Sequence, residues 1–309
     1  MKMKKGFYLL TIIAILLVSV TFVSAGFFDI FNKDARLAPS QDTDVAVTVG
    51  NVAPTITNVQ AIPNVDLAAG TTTEVTVIFT AEDLNGASDL NSTTASASFS
   101  KAGETTRTST PVTGCTPGIP TGNQITYTCT VTMQYYDENA NDWIITVSVD
   151  DLSSATASNS ATTFQVNLLR DITITPTSIT FATVIQGGTD EISAVDTTIT
   201  NNGNFNAPTD GDVSITGEDL TGVTTPTETI PAANFNAQDA TTGTVCSAGT
   251  TLVASTATSI PTVTLNNGDG TGGNNQRDIT YCLTLVPTGI SSQDYTANTG
   301  GGNAWTIGI

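Results

Sequence analysis

Apolar and polar residues alternate with a period of two along most of the chain beyond residue 50, the spacing of strands with one covered face. In "TEVTVIFTA" (residues 73–81) Val75, Val77 and Phe79 share the inward face. In "ITYTCTVTM" (125–133) Ile125, Tyr127, Cys129, Val131 and Met133 alternate with four threonines, so the Cys129 sulfur points to the core. In "WIITVSV" (143–149) Trp143, Ile145, Val147 and Val149 face inward, and "TTFQVNLL" (162–169) supplies a further strand. Turn chemistry separates these runs: Asn85-Gly86, Pro117-Gly118 and "DENAND" (137–142). No segment after the first 25 residues sustains the 3.6-residue period of an amphipathic helix. The expected fold class is therefore all-β, with two tandem immunoglobulin-like β-sandwiches after an N-terminal hydrophobic segment.

The first sandwich is expected over residues 51–169, about the size of one such domain. The second occupies 170–309 and contains "RDITITPTSITFATV", "DTTITNNGNFNAP", "GDVSITG", "DITYCLTLVPTG" and "NAWTIGI". "NNGDGTGGNNQ" (266–276) is too rich in Gly and Asn to pack and reads as an exposed loop. No flexible linker intervenes near Leu169, so a stiff tandem is expected.

The N-terminus carries Lys2, Lys4 and Lys5, an apolar run from Phe7 to Val23, and the small-residue end Val23-Ser24-Ala25. That is the layout of a secretory signal peptide over residues 1–25, cleaved before Gly26. Residues 26–50 then form a tether, with "DVAVTV" (44–49) as an optional first strand. Cleavage removes three lysines and no acids, taking the formal charge from −19 to −22. Such a balance opposes binding to nucleic acid, whose phosphates require Lys and Arg, and to anionic membrane surfaces. Only 12% of residues are charged while roughly a fifth are Thr, so the surface reads as a hydroxyl-rich sheet face rather than an acidic docking site.

An oxidising destination makes disulfides of Cys115, Cys129, Cys246 and Cys282. Proximity favours Cys115–Cys129 and Cys246–Cys282 among three connectivities. The second pairing is the less secure, because Cys282 falls opposite the face of Ile279, Tyr281, Leu283 and Leu285.

Chemistry is sparse. The chain has no histidine, which removes the usual general base, the serine triads and most zinc or copper sites. A paired-carboxylate glycosidase needs a cleft with stacking aromatics, and there are two tryptophans, Trp143 being a core residue of its strand. The Gly-rich stretches lack the helix and lysine of a phosphate loop. The chain is therefore read as a non-enzyme. Asn91-Ser92-Thr93 is the one glycosylation sequon, making Asn91 the candidate acceptor.

"AEDLNGASDLN" (81–91) has two readings. Asp83, Asn85, Asp89 and Asp150 converge if the loop after the second strand and the loop beginning at Asp150-Asp151 share one end of a sandwich, and they then offer calcium hard oxygen ligands. Asp137 and Asp142 belong to the opposite end. Alternatively these residues only build a turn. The spacing is not that of an EF-hand, because Gly86 comes too early and no glutamate closes the loop.

"NVAPTITNV" leading into "DLNGASDLN", then "YTCTVTMQYY" and "WIITVSVDDLSSATAS", resembles the immunoglobulin-like domain of exported archaeal cell-surface proteins. "TITNNGN", "TYCLTLVPTG" and "DYTANT" are similar to the repeat-type β-sandwich that often follows it. The resemblance implies an extracellular or envelope location with a structural or adhesive role, and no C-terminal anchor is expected before Ile309. A weaker resemblance joins "KKG" and the following apolar run to the leader of archaeal pilins. Cleavage after Gly6 would then keep a helix of about 22 residues from Phe7, long enough to span a bilayer or to form a filament core. It departs at Thr11, where pilins commonly carry glutamate. Partners are accordingly other envelope or filament subunits, reached through that helix or through strand donation by residues 44–49, with membrane contact only through an uncleaved helix.

Overall fold

The computed structural model describes residues 44–109, 114–243, 245–268, 275–297 and 304–309. The signal peptide over 1–25, both cleavage sites and the apolar leader helix lie outside the described residues. Residues 1–50 and 51–309 are separate compact units. In the first, residues 44–50 carry no regular structure, so the optional strand at "DVAVTV" is not formed. The single α-helix among the described residues is one turn, α1 (Val245–Ala248), and no described helix is long and apolar enough to cross a membrane.

The all-β expectation holds. Residues 51–166 build two antiparallel four-stranded sheets. One has the order β1 (Thr55–Val59), β2 (Thr72–Glu82), β6 (Gln124–Gln134), β5 (Cys115–Pro117). The other runs β4 (Arg107–Ser109), β3 (Leu90–Ser100), β7 (Ala140–Asp151), β8 (Thr156–Val166). The alternating side chains of β2 and β6 (Val77, Phe79, Tyr127, Val131) and of β3 and β7 (Ala97, Phe99, Trp143, Val147) share one buried core. Phe79 lies opposite Tyr127 in the β2–β6 register, and their rings stack at 5.0 Å.

From residue 172 the strands shorten. β9 (Ile172–Thr175), β11 (Thr197–Asn201), β15 (Phe235–Asp239), β16 (Thr250–Thr251) and β18 (Gln276–Leu283) form one sheet in the order β16-β15-β18-β11-β9, with β10 (Glu191–Ile192) also on β18. Two three-stranded sheets complete this half: β17 (Thr258–Ser259), β12 (Ser214–Thr216), β20 (Thr306–Gly308), and β14 (Thr229–Ile230), β13 (Leu220–Gly222), β19 (Tyr295–Thr296). Together they enclose a second core around Ile199, Phe205, Phe235, Leu252 and Tyr281. Of "RDITITPTSITFATV" only Ile172–Thr175 is a named strand.

Both disulfides form, Cys115–Cys129 between paired β5 and β6, and Cys246–Cys282. Cys282 stands on the face opposite Ile279, Tyr281 and Leu283 as expected, and its bond to Cys246 forms on that side. Ile279, Tyr281, Cys282 and Leu283 are all buried, because α1 carries Cys246 to the second face of β18. Leu285, expected inward, is 46% exposed, since β18 and its alternation end at Leu283.

The two cores meet at "NNGN" (201–204). Buried Asn204 accepts the Leu169 amide at 2.6 Å through Oδ1, and donates through Nδ2 to the carbonyls of Asp137 (2.9 Å) and Asn167 (3.0 Å). Gly203 is required there, because a Cβ would stand 2.2 Å from the Leu169 carbonyl oxygen. The loop expected to be exposed at 266–276 is anchored at its described N-terminal end. Asn267 donates to the Tyr136 carbonyl at 3.0 Å, and the Gly268 carbonyl accepts Tyr135 Oη at 3.1 Å.

Candidate cation site between two sheets

Strand parity builds this site. Val75, Val77, Phe79 and Ala81 are the inward row of β2, and the next member is Asp83, just past the strand. Trp143, Ile145, Val147 and Val149 are the inward row of β7, and its next member is Asp151. The two rows belong to facing sheets, so both aspartates arrive, fully buried, at one end of the shared core. Asp89 joins them from the 3-10 turn Ala87–Asp89 that leads into β3. One carboxylate oxygen from each of the three lies within 4.8 Å of the others.

Two of the four expected residues come together and two do not. Asp83 and Asp89 do converge. Asp150 does not: it faces outward, and its Oδ1 accepts Thr156 Oγ1 at 2.7 Å. Neighbouring strand residues point to opposite faces, so Asp151 takes the place expected for Asp150. The period-two pattern through Trp143 and Val149 already carried that signal. Asn85 shapes the loop: its amide donates to Asp83 Oδ1 at 2.7 Å, and its own Oδ1 accepts the Val52 amide at 2.7 Å.

The three carboxylates are not equally satisfied. Asp151 Oδ1 accepts the amides of Ser153 (2.9 Å) and Ala155 (2.8 Å), and Oδ2 accepts Asn51 Nδ2 at 2.7 Å. The Asn51 bond, assisted by those amides, holds the Asp151 carboxyl below the usual carboxylate range against the opposing effect of burial. Asp83 has one bond on Oδ1, while its buried Oδ2 has no hydrogen-bond partner. Desolvation first, then repulsion from Asp83 and Asp151, raises the Asp89 carboxyl above its ordinary value.

Asp137 and Asp142, expected at the other end, provide the contrast. Buried Asp137 is held by the Arg107 guanidinium, whose Nε lies 3.0 Å from Oδ1, and by the Gln134 amide at 2.9 Å. Asp142 shares Lys101 with Glu138, at 3.5 and 3.2 Å from Nζ. The remaining ion pair of the described residues joins Arg277 and Asp239, so none of these pairs reaches the Asp83 cluster.

Two other features offer no chemistry of this kind. Asp190 approaches Cys246 and Cys282, but both sulfurs are consumed in the disulfide. A groove of about 1050 Å³ beside the second core is lined by Ile174, Phe181, Phe235 and Trp305, with Asp294 the single charged lining residue among the described residues. Asn91, the candidate glycan acceptor, is half-buried on β3 opposite Asp150, and its Oδ1 accepts Thr93 Oγ1 at 2.6 Å.

No protein-family model matches the chain, and no curated protein matches it.

Proposed function

We propose that the chain is a non-catalytic, exported cell-surface protein with a structural or adhesive role, whose two β cores are immunoglobulin-like sandwiches. The observation that carries this reading is the pair of disulfides, one in the first core and one on β18 of the second half, since paired thiols persist in oxidising compartments. The strand orders β1-β2-β6-β5 and β4-β3-β7-β8 support the immunoglobulin-like assignment, because they correspond to an ABED sheet facing a CFG sheet with one added edge strand. The disulfide differs from the familiar arrangement in joining neighbours within one sheet rather than bridging the two. The absence of histidine and the acid-poor lining of the groove favour a role without catalysis.

Antibody labelling of intact against permeabilised cells tests this. Equal labelling without permeabilisation is expected, and labelling that needs permeabilisation would refute a surface role.

A second reading, a filament subunit, is favoured by residues 44–50. Val45, Val47 and Val49 keep a strand's alternation yet form no strand in their own unit, which suits donation to a neighbouring copy. Filaments in negative-stain images of washed envelopes that disappear on deletion of 44–50 would support it; envelopes free of filaments would oppose it.

A further inference from the structure

We infer that Asp83, Asp89 and Asp151 form a calcium site that clasps the two facing sheets of the first core. Two oxygens bound to one calcium at about 2.4 Å stand at most about 4.8 Å apart, and the three carboxylates meet that limit. Acidic clustering alone does not point to a ligand. The decisive observation is Asp83 Oδ2, an ionisable oxygen at 0% exposure with no hydrogen-bond partner. Leaving such a group unpaired is costly, and a cation seated among the three carboxylates removes that cost.

The polar interior of the first core makes the same point by comparison. Asp137, equally buried, has Arg107, whereas the ion pairs of the described residues leave Asp83, Asp89 and Asp151 without a basic partner. Hard carboxylate oxygens select a hard divalent ion over zinc or copper, and an irregular set drawn from three different segments suits calcium better than the strict octahedron of magnesium. Calcium takes six to eight oxygens, so water and backbone carbonyls complete the shell. Affinity in the weak extracellular range, about 0.1–1 mM, follows from a site with three protein carboxylates of which one is already engaged by three donors. The site also reaches the beginning of the compact unit, because Asn51 is bonded to Asp151 and Val52 to Asn85. The inference stands apart from the surface role and is tested apart from it.

The test uses the full chain, stripped with chelator, then titrated with calcium chloride alone in a calorimeter and melted with and without 5 mM calcium. Saturable heat is expected, with the unfolding midpoint raised by about 2–6 °C and a smaller rise in magnesium. Asp89→Asn, at a half-exposed turn position that tolerates the change, is expected to abolish the shift, and Asp150→Asn to keep it. A flat titration to 5 mM in the unmodified chain overturns the site, as does a calcium shift that survives Asp89→Asn.

Discussion

Asp83 and Asp151 hold carboxylate oxygens within 4.8 Å of each other although they leave strands of opposite sheets. Each continues an apolar inward row by one step, from Ala81 and from Val149, so the core ends in charge where it would otherwise end in a loop. Asp89 adds a third like charge beside them.

That repulsion predicts opposite effects of one substitution under two conditions. In chelator, Asp89→Asn should raise the midpoint of thermal unfolding by about 1–3 °C, because the neutral amide no longer opposes Asp83 and Asp151. In millimolar calcium it should melt below the unmodified chain. Identical melting of both chains in chelator and in calcium would remove the electrostatic account of this loop end.

Asn204 should be the costliest polar residue at the meeting of the two cores. Asn204→Ala strips the Leu169 amide and the carbonyls of Asp137 and Asn167 of their partners, a loss of about 2–4 kcal/mol. Denaturant unfolding should record that loss, and limited proteolysis should open a new cut near residues 167–171. A variant that is neither destabilised nor newly cleaved would mean that this knot does not hold the cores together.

Arg107→Ala is expected to destabilise by about 3 kcal/mol in urea unfolding, since it leaves the Asp137 carboxylate buried without its cation. Lys101→Ala, which removes a cation shared by the more exposed Glu138 and Asp142, should cost under about 1 kcal/mol. Equal costs would contradict the burial argument.

Glu228 should contribute to acid sensitivity, as the lowered Asp151 carboxyl does. Its carboxylate accepts the Ser291 amide (2.6 Å) and hydroxyl (2.8 Å), Tyr295 Oη (2.8 Å) and Gln293 Nε2 (2.8 Å), and these bonds hold it below the ordinary value of 4.5. A carboxyl lowered by folding contributes stability above its unfolded value and loses it as pH falls through the folded one. The stability gap between the unmodified chain and Glu228→Gln should therefore be full at pH 7 and close below pH 4.5. A gap independent of pH would show that the charge is not what these donors hold.

Much of the first core was legible in the sequence because its strands are long and alternate large apolar residues with threonine. β2, β6 and β7 follow directly from Val75 to Phe79, Ile125 to Met133 and Trp143 to Val149. β3 escaped because its inward row is Ala95, Ala97 and Phe99, and alanine alternating with serine carries little hydropathy contrast. In the second core, strands of two to five residues outside β18 are too short to establish a period, and tertiary packing decides them. At the candidate site, turn composition identified Asp83 and Asp89. Loop proximity points to Asp150, whereas strand parity along β7 turns Asp151 inward instead.

The most direct test of an exported, doubly stapled protein is mass spectrometry of the native chain from washed cell envelopes, digested without reduction. The account predicts a mature N-terminus at Gly26 and the linked peptides Cys115–Cys129 and Cys246–Cys282. A start at Phe7 with the same links would favour the filament reading. An unprocessed chain beginning at Met1, found in the cytosolic fraction with four free thiols, would contradict the account.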